Sequence, residues 1–112
     1  MAGLTIGIYT FELHLPNAHS LKDKRQVVQR LKHRLRAHHN VAVTEIGDHA
    51  DRWQRSTVAV VSVASHRDAL ERLFEAVYRD AVNQVPGQVI DTGSEFIDAA
   101  DGGDRGWNEG WE

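Results

Sequence analysis

Lys22, Arg25, Lys32 and Arg36 follow one another at steps of three and four and seven, with Gln29 and His39 falling on the same row. Residues so spaced share one face of an α-helix. The four cations then form a row about 20–25 Å long at 1.5 Å per residue. The chemistry open to such a row is phosphate recognition. Phosphates on structured RNA lie at comparable spacing, and each one neutralised releases counterions. Double-stranded RNA is read by shape and backbone, which needs cations on a rigid surface and no aromatics. The segment from Ser20 to His38 carries seven Lys and Arg against one acid, a local charge of +6, with His33 and His38 in addition. A solvated helix face would also look basic. The near absence of opposing acids from this helix, with the compensating acids elsewhere, favours the phosphate reading. Arg30 and Arg34 are further candidates. Lys24 falls on the apolar side of the wheel, where it must either snorkel to the surface or pair with an acid such as Glu45.

Other chemistries are poorly served. Cysteine is absent, which excludes disulfides, zinc–thiolate sites, iron–sulfur clusters and cysteine nucleophiles. Of the seven histidines, His38 and His39 are adjacent and point apart on a helix, unlike the i, i+4 pair of a zinc helix. Asp48, His49 and Asp51 share one polar connection, and a solvated loop accounts for them better than a metal site or a metal-dependent enzyme. Leu15–Ser20 has a proline and no glycine, so it does not make the backbone nest that an acylphosphatase-type loop needs. Glu12 and Glu45 are placed to lie near each other on a sheet, but no Ser-His-Asp order or paired-carboxylate constellation stands out. No catalytic residue, metal ligand or cofactor site is assigned.

The elements that would position the cationic row follow from periodicity. Leu4–Leu15 alternates, with Leu4, Ile6 and Ile8 on one face and Thr5, Gly7, Tyr9 and Phe11 on the other. Ser20 is a candidate N-cap, with Asp23 as an imperfect capping-box partner. The first helix buries Leu21, Val27, Val28, Leu31 and Leu35 and stops near His39 and Asn40. Val41–Ile46 is a β-branched strand. Gly47–Arg55 is a polar connection whose Trp53 is read as a packing anchor. Thr57–Val63 (TVAVVSV) is the most apolar run and reads as a buried central strand. His66–Asn83 is a second helix burying Leu70, Leu73, Phe74, Val77 and Ala81, and Gln88–Phe96 is a last strand at an edge. The order β-α-β-β-α-β points to an α+β fold, the ferredoxin-like sandwich: a four-stranded mixed sheet with two helices on one face and the other face open. Base stacking in the manner of RNA-recognition domains is disfavoured, because the third strand offers no aromatic beside Tyr9 and Phe11.

At 112 residues the chain is one small domain, assigned to residues 1–98, with 99–112 as a flexible acidic tail. Residues 1–98 balance twelve basic against twelve acidic side chains, so the net charge of −3 lies in the tail. Trp107 and Trp111 stand there at i, i+4, in what reads as a terminal extension rather than a docking segment; folded back, such a tail would compete with RNA for the basic helix. No apolar run approaches the roughly 20 residues that span a bilayer. The N-terminus has no basic leader before its apolar stretch, so a cytoplasmic location is expected.

Ser20-Leu21-Lys22-Asp23-Lys24-Arg25, then Asn40-Val41 with Glu45, then Asp51 and Trp53-Gln54 before the third strand, occur in order at a separation that resembles the YlxP-like family of small bacterial proteins, a domain of unknown function. The resemblance covers about residues 3–98. It implies a ferredoxin-like fold and a gene setting beside translation initiation factor two and ribosome-binding factor A. It transfers no catalytic residue. Together with the basic helix it leads to the expectation of a non-enzymatic ribosome-associated factor in small-subunit maturation or translation, with Lys22, Arg25, Lys32 and Arg36 on rRNA phosphates. Neither DNA nor a membrane is an expected partner. The alternative is a protein–protein module that pairs through its open sheet face or an edge strand, as a homodimer.

Overall fold

The computed structural model describes residues 3–47 and 52–99. The Asp48-His49-Asp51 group lies outside them, as does the tail beyond Ala99 with Trp107 and Trp111. The elements are β1 (Thr5–His14), α1 (Leu21–His38), β2 (Ala42–Ile46), β3 (Arg55–Ala64), α2 (Arg67–Gln84) and β4 (Gln88–Asp98). The order is the βαββαβ expected, and the four strands form one sheet in the order β2-β3-β1-β4, the ferredoxin-like arrangement.

Every neighbouring pair in this sheet is antiparallel, so the sheet is not mixed in its hydrogen bonding. The reason is topological. Each helix crossover returns the chain parallel to the strand it left, but the strand laid down is not its neighbour, because another strand is inserted between them. β1 and β3 pair from Thr5↔Ala64 to His14↔Arg55 without a break. β1 and β4 slip by one residue between Thr10 and Glu12, a bulge at which Asp91 takes a left-handed backbone (φ 52°).

Alternation along β1 puts Thr5, Gly7, Tyr9, Phe11 and Leu13 against the helices, all buried. Gly7 is required there by close approach, since a Cβ would stand 2.9 Å from the Phe74 ring. Tyr9 stacks on that ring, with centroids 5.2 Å apart. Val28, Leu31 and Leu35 of α1, Leu70, Phe74, Val77 and Ala81 of α2, and Val58 and Val60 of β3 complete the core. Tyr9 and Phe11 are thus core residues and not a stacking surface.

The TVAVVSV strand departs from expectation. Only Val58, Val60 and Ser62 are buried, while Val61 and Val63 are exposed at 37% and 52%. Both helices cover the same face, so a central strand here has one dry side. Glu12 and Glu45 also fall on opposite sides of the sheet: Glu12 lies on the open face, paired with Arg55, and Glu45 reaches beneath α1 to Lys24.

Candidate nucleic-acid interface

α1 starts where its capping chemistry dictates. The Ser20 hydroxyl accepts from the Asp23 N–H at 3.1 Å. The Asp23 carboxylate accepts from the His19 N–H at 2.9 Å, one residue beyond the N-cap N–H that a regular capping box uses. At the other end the His39 N–H donates to the Leu35 carbonyl. Lys24, Val28, Leu31 and Leu35 are the buried stripe.

With the stripe facing the sheet, the two flanks of α1 are chemically different. One flank faces α2. There Arg34 Nε donates to Asp80 Oδ1 at 2.6 Å, and His39 Nε2 lies 3.1 Å from Asp80 Oδ2. Arg30 opens toward Gln84 and Pro86 beyond the end of α2. Burial pushes the Asp80 carboxyl up, but Arg34 and His39 outweigh it and hold the group below the ordinary carboxylate range. Arg34, a candidate for phosphate, is therefore committed to α2, and so is His39, which as the extended C-cap leaves the row on which its spacing placed it.

The opposite flank carries Lys22, Arg25, Gln29, Lys32 and Arg36, which the 3.6-residue turn sets on one side. Lys22, Arg25 and Arg36 are exposed and Lys32 is half-buried. Among the described residues none of the four meets a carboxylate. Elsewhere the cations divide: Arg34, Arg55, Arg67 and Arg72 each have an acid partner, as does Lys24, whereas Arg30, Arg52 and Arg79 form no salt bridge among the described residues. Lys24 is 1% exposed, its Nζ 3.2 Å from Glu45 Oε2, which also accepts from the Ser56 hydroxyl at 2.7 Å. Of the two outcomes open to Lys24, pairing with Glu45 is the one realised. It takes Lys24 off the surface and pins the first turns of α1 over β2.

This pin brings a further group into place. The Leu15 N–H donates to the Gln54 carbonyl at 2.8 Å, and Gln54 Nε2 donates to the Pro16 carbonyl at 3.3 Å. The residues entering β3 are thereby fixed beside the chain entering α1, at the end of the molecule where Lys22 and Arg25 stand. Trp53, in this connection, is 48% exposed and does not anchor the core as expected. Sequence reasoning passed over Arg52, which adjoins this indole and has no acid partner among the described residues. The signal available was its adjacency to Trp53 in a polar connection.

A second concave region lies between α2 and β4, about 490 Å³, floored by Tyr9, Phe74 and Phe96 and rimmed by Glu71, Glu75 and Tyr78. Its chemistry is weak for catalysis. Burial raises the Tyr9 phenol above its ordinary value against the opposing hydroxyl bond from Thr92, so the phenol stays protonated and is no base at neutral pH. Among the described residues no three of His, Asp and Glu converge as a metal site would require. No described helix is long and apolar enough to cross a membrane.

Fold and surface together define an α+β ferredoxin-like domain with a cationic helix on its closed face. The chain belongs to the family described as protein of unknown function (DUF503), which it matches over residues 6–93. It is 36% identical over 72 residues to the uncharacterized protein YlxP of Bacillus subtilis (strain 168), an alignment spanning 64% of this chain and 77% of that protein. The YlxP-like resemblance read from the sequence is thereby established. Among solved structures it is similar to a variant of SnoaB, a cofactor-independent oxygenase from Streptomyces nogalater, at 12% identity and a TM-score of 0.44, over 86% of this chain and 92% of that one.

Proposed function

We propose that this protein is a non-enzymatic, cytoplasmic, ribosome-associated factor acting in small-subunit maturation or translation. It holds structured rRNA by its phosphates through Lys22, Arg25, Lys32 and Arg36. The observation that carries the reading is the segregation of charge. The other flank of α1 gives Arg34 to Asp80, while this one keeps its cations without counter-charges among the described residues. Like charges three and four apart cost a helix about 0.2–0.5 kcal/mol per pair, so the row does not serve stability. A rigid row of this length suits a phosphate backbone read by shape. Rigidity comes from the two pins, Lys24 to Glu45 and Arg34 to Asp80, which hold α1 against the sheet and α2.

Co-sedimentation with purified small ribosomal subunits across a salt series tests it. The wild type is expected to bind with an affinity that falls steeply with salt. Arg25→Glu/Lys32→Glu/Arg36→Glu, confirmed folded by circular dichroism, is expected to lose binding, and single charge removals to lower the log–log salt slope by about one each. Equal binding by the triple variant would sink the proposal. A second reading is favoured by the apolar open face, where Ile97, Val61 and Val63 are exposed: a second copy of this chain pairing there. That association would survive high salt and fail on Val63→Asp.

A further inference from the structure

We propose that Trp53 and Arg52 form a stacking platform for an unpaired nucleobase at one end of the cationic row. The RNA recognised is then a helical stem that ends in a single-stranded nucleotide, not an uninterrupted duplex. This rests on the RNA reading above and specifies its substrate.

An indole left half in water has a cost, since its apolar surface stays hydrated. Trp53 is not a side chain on a free loop, because Gln54, the next residue, is tied to both Leu15 and Pro16. The ring is therefore presented from a fixed backbone. Around it lies a shallow hollow of about 380 Å³ lined by Arg52, Trp53, Gln54 and Arg55. Arg55 is neutralised by Glu12 on the open face, whereas Arg52 has no carboxylate among the described residues. The hollow thus offers a π-face, a guanidinium and an amide, and no acid among the described residues of its lining. That set matches an unpaired base and its phosphate: the indole stacks, the guanidinium meets charge, and Gln54 adds polar contacts to a base edge.

Position supports the same assignment. The bonds of Gln54 to Leu15 and Pro16 place the hollow at the end of the molecule where the chain enters α1, the end at which Lys22 and Arg25 begin the row. A backbone followed along the row from Arg36 toward Lys22 therefore leads to the indole. The other aromatic concavity, between α2 and β4, is of mixed charge, with Glu71, Glu75 and Arg79 in its lining and Glu71 paired with Arg67, and it does not continue the cationic row.

The test uses the full chain and two RNAs with one stem sequence, one blunt and one with a short single-stranded overhang, titrated in a salt series. The wild type is expected to bind the overhang RNA about tenfold more tightly, the scale of one base stacked on an aromatic ring. Trp53→Ala is expected to lose that preference while the salt slope on the blunt stem stays as in the wild type; Trp53→Phe should keep part of it. If wild type binds both RNAs equally with a steep salt slope, the platform is overturned and the phosphate row stands. A preference intact in Trp53→Ala also overturns it. Absence of salt-sensitive binding to either RNA overturns the RNA reading, and this inference with it.

Discussion

Lys24 sits in the core because a carboxylate is there to meet it. Glu45 comes from β2 and is itself held by the Ser56 hydroxyl of β3, so three elements are linked through one carboxylate. A pair of this kind adds little over a hydrophobic replacement of the same shape, but removing one partner leaves an uncompensated buried charge. Glu45→Ala is accordingly expected to lose about 3 kcal/mol in urea unfolding, and Lys24→Met/Glu45→Leu to recover most of it. Asp80 makes a pH-dependent contribution of opposite character. Its native pKa lies below the ordinary value, so its stabilisation is complete above about pH 4 and is lost as pH falls through the native value. Asp80→Asn should be less stable than wild type at pH 7, by about 1 kcal/mol, and the gap should narrow below pH 4. Urea midpoints at the two pH values check both the sign and the window.

At the scale of elements, the notable property of α1 is that its two flanks do different work. The flank toward α2 spends its arginine and histidine on Asp80 and fixes helix to helix; the opposite flank is left for a partner. The turn between α2 and β4 shows how tightly the frame is drawn. A Cβ on Gly87 would lie 2.2 Å from the His14 carbonyl oxygen, which is backbone within the sheet and cannot step aside. At Gly7 the obstacle is the Phe74 ring at 2.9 Å, which can tilt. Gly87→Ala is therefore expected to cost about 3 kcal/mol and Gly7→Ala about 1 kcal/mol, near the two ends of the overpacking range. Thermal unfolding of the two variants side by side gives the order.

For the whole molecule, the helices and the open sheet face point in opposite directions. That geometry separates the two readings of function. Val63, on the open face, is remote from the cationic row, so Val63→Asp is expected to leave ribosomal co-sedimentation unchanged and stability within about 0.5 kcal/mol. Sedimentation equilibrium of wild type and variant at high salt reports on pairing through that face. Loss of ribosome binding in Val63→Asp would mean that the sheet takes part in the contact.

The sequence by itself determined the order of elements, the N-cap at Ser20, the buried stripes of both helices and the common face of Lys22, Arg25, Lys32 and Arg36. These depend on spacing along one strand or one turn of helix, and periodicity reports spacing directly. It also raised Glu45 as a partner for Lys24, one of two outcomes open to a cation on an apolar stripe, the other being to snorkel to the surface. What it could not decide was anything resting on which elements become neighbours. The antiparallel pairing of β1 with β3 follows from the strand order. The one dry side of TVAVVSV and the withdrawal of Arg34 to Asp80 follow from two helices covering one face of the sheet. The separation of Glu12 from Glu45 and the half-exposed Trp53 likewise arise only in the folded chain. A local pattern says that a side chain has an apolar or a charged environment to find. Only the packing of distant segments settles whether that environment is there.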